Sequence, residues 1–200
     1  MKSMSMQLIL GRFPLLILFL TITAIFTLGQ TPKREPDLSA SKNNNASATK
    51  PGAEAARLAF EKFTKLNGEW IGRSTKGWEE KVSFSTIAQG SVVVENSFDA
   101  HPNETMMTMF YLDRDRLLLT HFCVSKNQPR LVADSYADNG STITFSFLDA
   151  TNLASRNQGH MDKAVFKFLD ENTVKVQWTW YQDGKENWME EIKLERIKAK

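Results

Sequence analysis

Ala164-Val165-Phe166-Lys167-Phe168-Leu169-Asp170-Glu171-Asn172-Thr173-Val174-Lys175-Val176-Gln177-Trp178-Thr179-Trp180 decides the fold class. On both sides of Asp170-Glu171-Asn172, one parity carries large apolar residues, the period of two that lays one row of side chains on each face of a strand. The intervening triplet has the chemistry of a short turn, so the stretch reads as an antiparallel hairpin.

The same period runs outward in both directions. Taking turn residues as boundaries predicts about ten strands, near 69–74, 79–88, 91–99, 104–112, 115–124, 131–137, 141–149, 161–169, 173–182 and 186–197. Strands this close in sequence form a meander, and the fold expected is all-β: an up-and-down antiparallel β-barrel with one N-terminal helix. The helix is predicted over Glu54 to Leu66, where Ala56, Ala59, Phe60, Phe63 and Leu66 recur at helical spacing before Asn67-Gly68.

Loop lengths give the barrel two unlike ends. Tight turns at Gln89-Gly90, Asp113-Arg114, Asp138-Asn139-Gly140 and Asp170-Glu171-Asn172 fall at one end. Longer links, Thr75 to Trp78, Ala100 to Asn103, Ser125 to Arg130 and Ala150 to His160, fall at the other, with Asp183-Gly184 the tight exception. Trp70 opens the first strand and Arg196 closes the last, so both belong at the closed end, where the guanidinium can stack on the indole.

Residues before the helix set an address. Lys2 and Arg12 precede an apolar run from Phe13 to Leu28, and Thr27 and Gly29 are small enough for peptidase cleavage before Gln30. Residues 1–29 are therefore predicted to be a signal peptide, with an uncleaved N-terminal anchor as the alternative. The expected destination is the periplasm or the exterior, without stable membrane insertion after cleavage. Residues 30–53 are rich in Pro, Ser, Asn, Ala and Lys and read as a disordered linker, leaving 54–200 as one domain. Basic and acidic residues are interspersed at a formal net charge of +2, which argues against a nucleic-acid partner. Cys123 is the single cysteine, so no internal disulfide is available.

Gly68-Glu69-Trp70 with a terminal-strand arginine resembles the calycin group, which includes lipocalins and fatty-acid-binding proteins. The stretch from Met107 to Cys123, Asn127-Gln128-Pro129-Arg130, and Gly159-His160-Met161 further resemble a group of uncharacterised, often exported bacterial domains of lipocalin-like character. The resemblance covers most of Leu66 to Arg196 and implies a fold, with Gly68, Trp70 and Arg196 as structural residues, but no activity.

Apolar parity predicts the inward faces: Val82/Phe84, Ile143/Phe145/Phe147, Ala164/Phe166/Phe168, Val174/Val176/Trp178/Trp180 and Trp188/Ile192/Leu194. The same parity puts His160 and Glu190 in the lumen. His121 and Cys123 fall near the open end, Asn127, Gln128 and Arg130 on or beside the next link. His121, Cys123, Asn127, Gln128, Arg130, His160, Trp180 and Glu190 form the candidate ligand-binding set, with an apolar floor and a polar rim suited to a small apolar or amphiphilic molecule. Arg130 would bind a carboxylate or phosphate, or instead form a salt bridge. Glu190 would face the cavity or pair with a lysine, and the histidines would contact the ligand or serve hydrogen-bonded structural roles.

No cofactor is predicted. His121, Cys123 and His160 would be the ligands if zinc or copper were bound, and His121 or His160 if haem were. No nucleophile elbow, zinc-protease helix, phosphate loop or dinucleotide fingerprint is present, so catalysis, through Cys123 or through the histidines with Glu95 or Glu190, has only residue type behind it. The function expected is carriage or sequestration of a ligand. The alternative is a structural or interaction module of the cell envelope with a filled lumen.

Overall fold

The computed structural model describes residues 51–98 and 104–198. The predicted signal peptide, nearly all of the linker and the Ala100 to Asn103 link lie outside these residues.

Ten strands follow one helix: α1 (Pro51–Thr64), β1 (Gly68–Ser74), β2 (Glu79–Ile87), β3 (Val92–Phe98), β4 (Thr105–Asp113), β5 (Arg116–Phe122), β6 (Gln128–Ala137), β7 (Thr142–Thr151), β8 (His160–Asp170), β9 (Thr173–Gln182) and β10 (Lys185–Arg196). Each strand pairs antiparallel with the next, and β1 pairs with β10 to close the barrel. Closure leaves no sheet edge unpaired, which removes the main route to strand-mediated aggregation. No helix among the described residues is long and apolar enough to cross a membrane.

Helix α1 begins three residues before the predicted start, because Pro51 suits a first helical position, where its missing N–H is not needed. The helix does more than lie on the barrel. Its apolar face enters the closed end, where the Phe63 ring stacks on Phe110 at 4.2 Å and meets Phe166 and Phe168 edge-on at 5.2 and 5.3 Å. The Trp70 indole donates to the Leu66 carbonyl at 2.8 Å, fixing the chain where it leaves the helix. The Arg196 guanidinium lies 4.3 Å from the Trp70 ring and donates to the carbonyls of Asn67 and Lys65 at 2.7 and 2.8 Å. One side chain thus joins the last strand, the indole and the helix C-terminus, whose final carbonyls lack intrahelical partners. Gly68 makes this approach possible, since a Cβ there would stand 3.2 Å from the guanidinium and its φ of +127° is closed to other residues.

Two of the register shifts between neighbouring strands bear on the lumen. In β10 the register shifts between Trp188 and Glu190, so the extra residue turns Trp188 out of the barrel, 53% exposed. The expectation that Trp188 lines the interior is therefore wrong, because a one-residue bulge reverses which parity faces inward. In β8 a shift between Met161 and Lys163 does the same and brings Met161 toward the lumen.

Candidate functional site

Extending the inward rows of β2, β3, β4 and β5 toward the open end leads from apolar residues to polar ones. Phe84 and Val82 are followed on their face by Glu80, Val93 by Glu95, Phe110 by Thr108, and Leu119 by His121, and all four of these polar residues are buried. Met161 and Val176, Trp178, and Met189, Glu190, Ile192 and Leu194 complete the wall from β8, β9 and β10. They enclose a cavity of about 50 Å³, with half-buried Trp78, Ser97, Met106 and Met189 also lining it. The opposite half of the lumen is packed with Phe63, Phe110, Phe145 and Phe166.

Gly72 makes room for this cavity. It pairs with Glu80 across β1 and β2, and a Cβ would sit 2.7 Å from the Glu80 Cγ and 3.0 Å from the Ile192 Cγ2. A glycine inside a strand marks such a close approach. Ser97 donates a hydrogen bond to Glu80. Lys76, reaching in from the β1–β2 turn, pairs with Glu190 at 3.0 Å, so Glu190 both lines the cavity and holds an ammonium.

Burial, reinforced by the charge of Glu80, pushes the Glu95 carboxyl up to about 8, while a hydrogen bond from Thr108 opposes that rise. Burial alone drives the His121 imidazole down to about 4. Thr108 Oγ1 and His121 Nδ1 share a hydrogen bond of 3.0 Å, whose direction follows the imidazole tautomer. Nε2 of His121 is fully buried and has no hydrogen-bond partner among the described residues, on a residue 4% exposed that lines the cavity.

Of the candidate set named from sequence, only His121 and Glu190 line this cavity. Cys123 lies in the tight Cys123–Asn127 turn, since β5 ends at Phe122 and Cys123 N–H donates to the Asn127 carbonyl at 3.4 Å. Gln128 and Arg130 belong to β6, not to an open loop. Arg130 faces outward and grips Asp149 through two hydrogen bonds, so it is not at the mouth of the lumen. Gln128 accepts from Thr151 on the neighbouring strand. Trp180 packs across Gly159, where a Cβ would meet its Cζ2 at 2.3 Å, and bonds Gln182 at 3.2 Å.

His160 is fully buried outside the cavity lining, displaced by the β8 bulge. Its Nδ1 donates to the Gln158 carbonyl at 2.6 Å, and its Nε2 accepts from Arg156. Arg156 also bonds Asp162 and lies 3.9 Å from the Tyr181 ring and 4.3 Å from Phe147, a satisfied cluster that locks the β7–β8 loop. The His121, Cys123 and His160 metal set does not form: no three His, Cys, Asp or Glu side chains among the described residues are grouped to hold a metal ion.

Asn127 is likewise a structural residue. Fully buried, it donates to the Gly159 carbonyl at 2.8 Å and accepts from Ser125 at 3.0 Å, tying the β5–β6 turn to the start of β8. Asn127→Ala is expected to cost about 1–3 kcal/mol, the penalty of orphaning buried polar groups, read as a lower urea midpoint with an unchanged slope.

Sequence reasoning passed over Glu80, Thr108, Met161 and Met189. The first two were available from parity, since each shares a face with residues predicted or observed to point inward. The methionines reach the cavity through bulges that alternation cannot show.

No protein-family model matches the chain, and no curated protein does. Among solved structures it is similar to a crystal structure of a protein of unknown function from the DUF3598 family of Nostoc punctiforme PCC 73102, at 11% identity and a TM-score of 0.42. The match covers 68% of this chain and 49% of that one, so the chain spans about half the length of that protein.

Proposed function

We propose that this protein is an exported small-molecule-binding barrel whose ligand seats a compact polar group in the open-end cavity and rests its remaining body on the rim of Trp78, Met106 and Met189. The observation that carries this reading is a void ringed by Glu80, Glu95, Glu190 and the partnerless Nε2 of His121. A buried polar atom without a partner costs free energy, and a ligand that bonds His121 Nε2 beside these carboxyl groups explains its retention. The cavity, about 50 Å³, is far below the roughly 300–1,000 Å³ of pockets that engulf a drug-sized molecule, so a fatty acyl chain would not be swallowed whole. The mechanism proposed is carriage or sequestration.

The aromatic packing of the closed half supports the other reading, an interaction module without a ligand. Native mass spectrometry of protein purified gently from its own compartment separates the two. A bound small molecule on a chain beginning at Gln30 is expected, with the adduct lost in Gly72→Ala, where the added methyl displaces Glu80. A clean apo mass that takes up nothing from lipid and small-metabolite mixtures would favour the module, and a mass that retains residues 1–29 would favour the membrane anchor.

A further inference from the structure

Resting on the lumen-binding reading, we propose that the polar group this cavity takes is a protonated primary amine. Three carboxyl groups line the wall. Glu80 projects from β2, Glu95 from β3 and Glu190 from β10, and the unpartnered Nε2 of His121 comes from β5. An anion finds three carboxyl groups and no cationic partner among the lining residues, and a neutral ether or carbonyl finds few donors. An ammonium has three N–H donors and one positive charge, which this set answers.

The indoles of Trp78 and Trp178 line the same space, and a cation is drawn to such ring faces. Val176, Ile192 and Leu194 provide apolar contact for the first methylenes of the amine's chain. The protein already displays the interaction once, where the Lys76 ammonium sits 3.0 Å from Glu190. A bare metal ion needs its ligands at about 2.0–2.6 Å, closer than the hydrogen bonds of an ammonium, and no three His, Cys, Asp or Glu side chains among the described residues are grouped to hold one.

Binding has a proton balance. Glu95, faced by Glu80, Thr108, His121 and Glu190 with Lys76 on the far side of Glu190, carries a proton near neutrality. An arriving ammonium favours its ionised form, so at pH 7 one proton passes from Glu95 to solvent as the amine enters. Affinity should therefore rise between pH 6 and pH 8 while the amine itself stays protonated.

The test is isothermal titration of the full chain with n-butylammonium, n-butanol and n-butyrate, three ligands matched in length and different in charge. Butylammonium is expected to bind at least tenfold more tightly than either control. Its heat should vary with buffer ionisation enthalpy at pH 7, reporting proton release. Glu95→Gln should abolish that release, and His121→Phe should weaken binding tenfold or more, with near-UV circular dichroism showing both variants folded. Butanol or butyrate binding as tightly as the amine would overturn the ammonium assignment and leave the lumen reading intact. Failure of all three, and of a metabolite mixture read by native mass spectrometry, would overturn both.

Discussion

Phe63→Ala is expected to destabilise the barrel by about 3–5 kcal/mol, the usual cost of deleting a buried aromatic side chain. Phe63 is fully buried and is the contribution of α1 to the centre of the closed end. Its ring touches Phe110 on β4, Phe145 on β7, and Phe166 and Phe168 on β8. Those neighbours sit on hydrogen-bonded strands of a closed barrel, which cannot move inward to fill the space, so the cavity penalty adds to the lost transfer energy. The edge and stacked pairs add about 0.5–1.5 kcal/mol each beyond buried area. For a domain of this size the loss corresponds to roughly a 10 °C fall in Tm. Phe63→Leu should recover part of it. Urea midpoints of the three proteins provide the measurement, and a change below about 1 kcal/mol would mean that α1 is not part of the core.

The second large effect is in pH. Glu95 has an ordinary value of 4.5 in the unfolded chain and is pushed up to about 8 when folded. Its contribution is fully favourable below pH 4.5 and is lost as pH rises to 8, because the unfolded chain gives up its proton first. The linkage is worth on the order of 4 kcal/mol across that window. His121 runs the other way. Its value falls from 6.5 to about 4 on folding, so its contribution is present above 6.5 and lost as pH falls toward 4. Between pH 4.5 and 6.5 the two slopes oppose each other and stability should be nearly flat. From 6.5 to 8 only Glu95 titrates and stability should fall. Glu95→Gln is expected to remove that fall and to exceed the wild type by about 3 kcal/mol at pH 8. Urea midpoints at pH 5, 6, 7 and 8 decide the matter, and parallel profiles for the two proteins would contradict it. A site that costs stability without its ligand is a common signature of function. The same measurement with butylammonium present should flatten the wild-type profile.

How much of the site was legible depended on how local its cause was. His121 follows Leu117 and Leu119 on a face that stays in register, so its inward direction was visible in the strand. Glu95 came to notice only as a residue type, although Val93 on the same face is fully buried. Arg130 read equally as a ligand clamp or a salt bridge, and only its β7 neighbour Asp149 decided for the salt bridge. His160 had the right parity and the wrong position, because the bulge at Asp162 lies between it and Ala164.

By itself the sequence determined the all-β class, the number of strands, the helix, and the placement of Trp70 and Arg196 at one end. Each follows from a period, a turn residue or a loop length, which are properties of neighbours in the chain. Only the tertiary structure decided that Phe63 fills the closed end, that Gly72 opens a space beside Glu80, and that Glu80, Glu95, His121 and Glu190 surround it. Those residues come from four strands, and their convergence depends on barrel closure, on cross-strand register and on the β10 bulge. A bulge changes the facing of every residue beyond it by inserting one position, and the alternation that reveals a strand does not record where that happens.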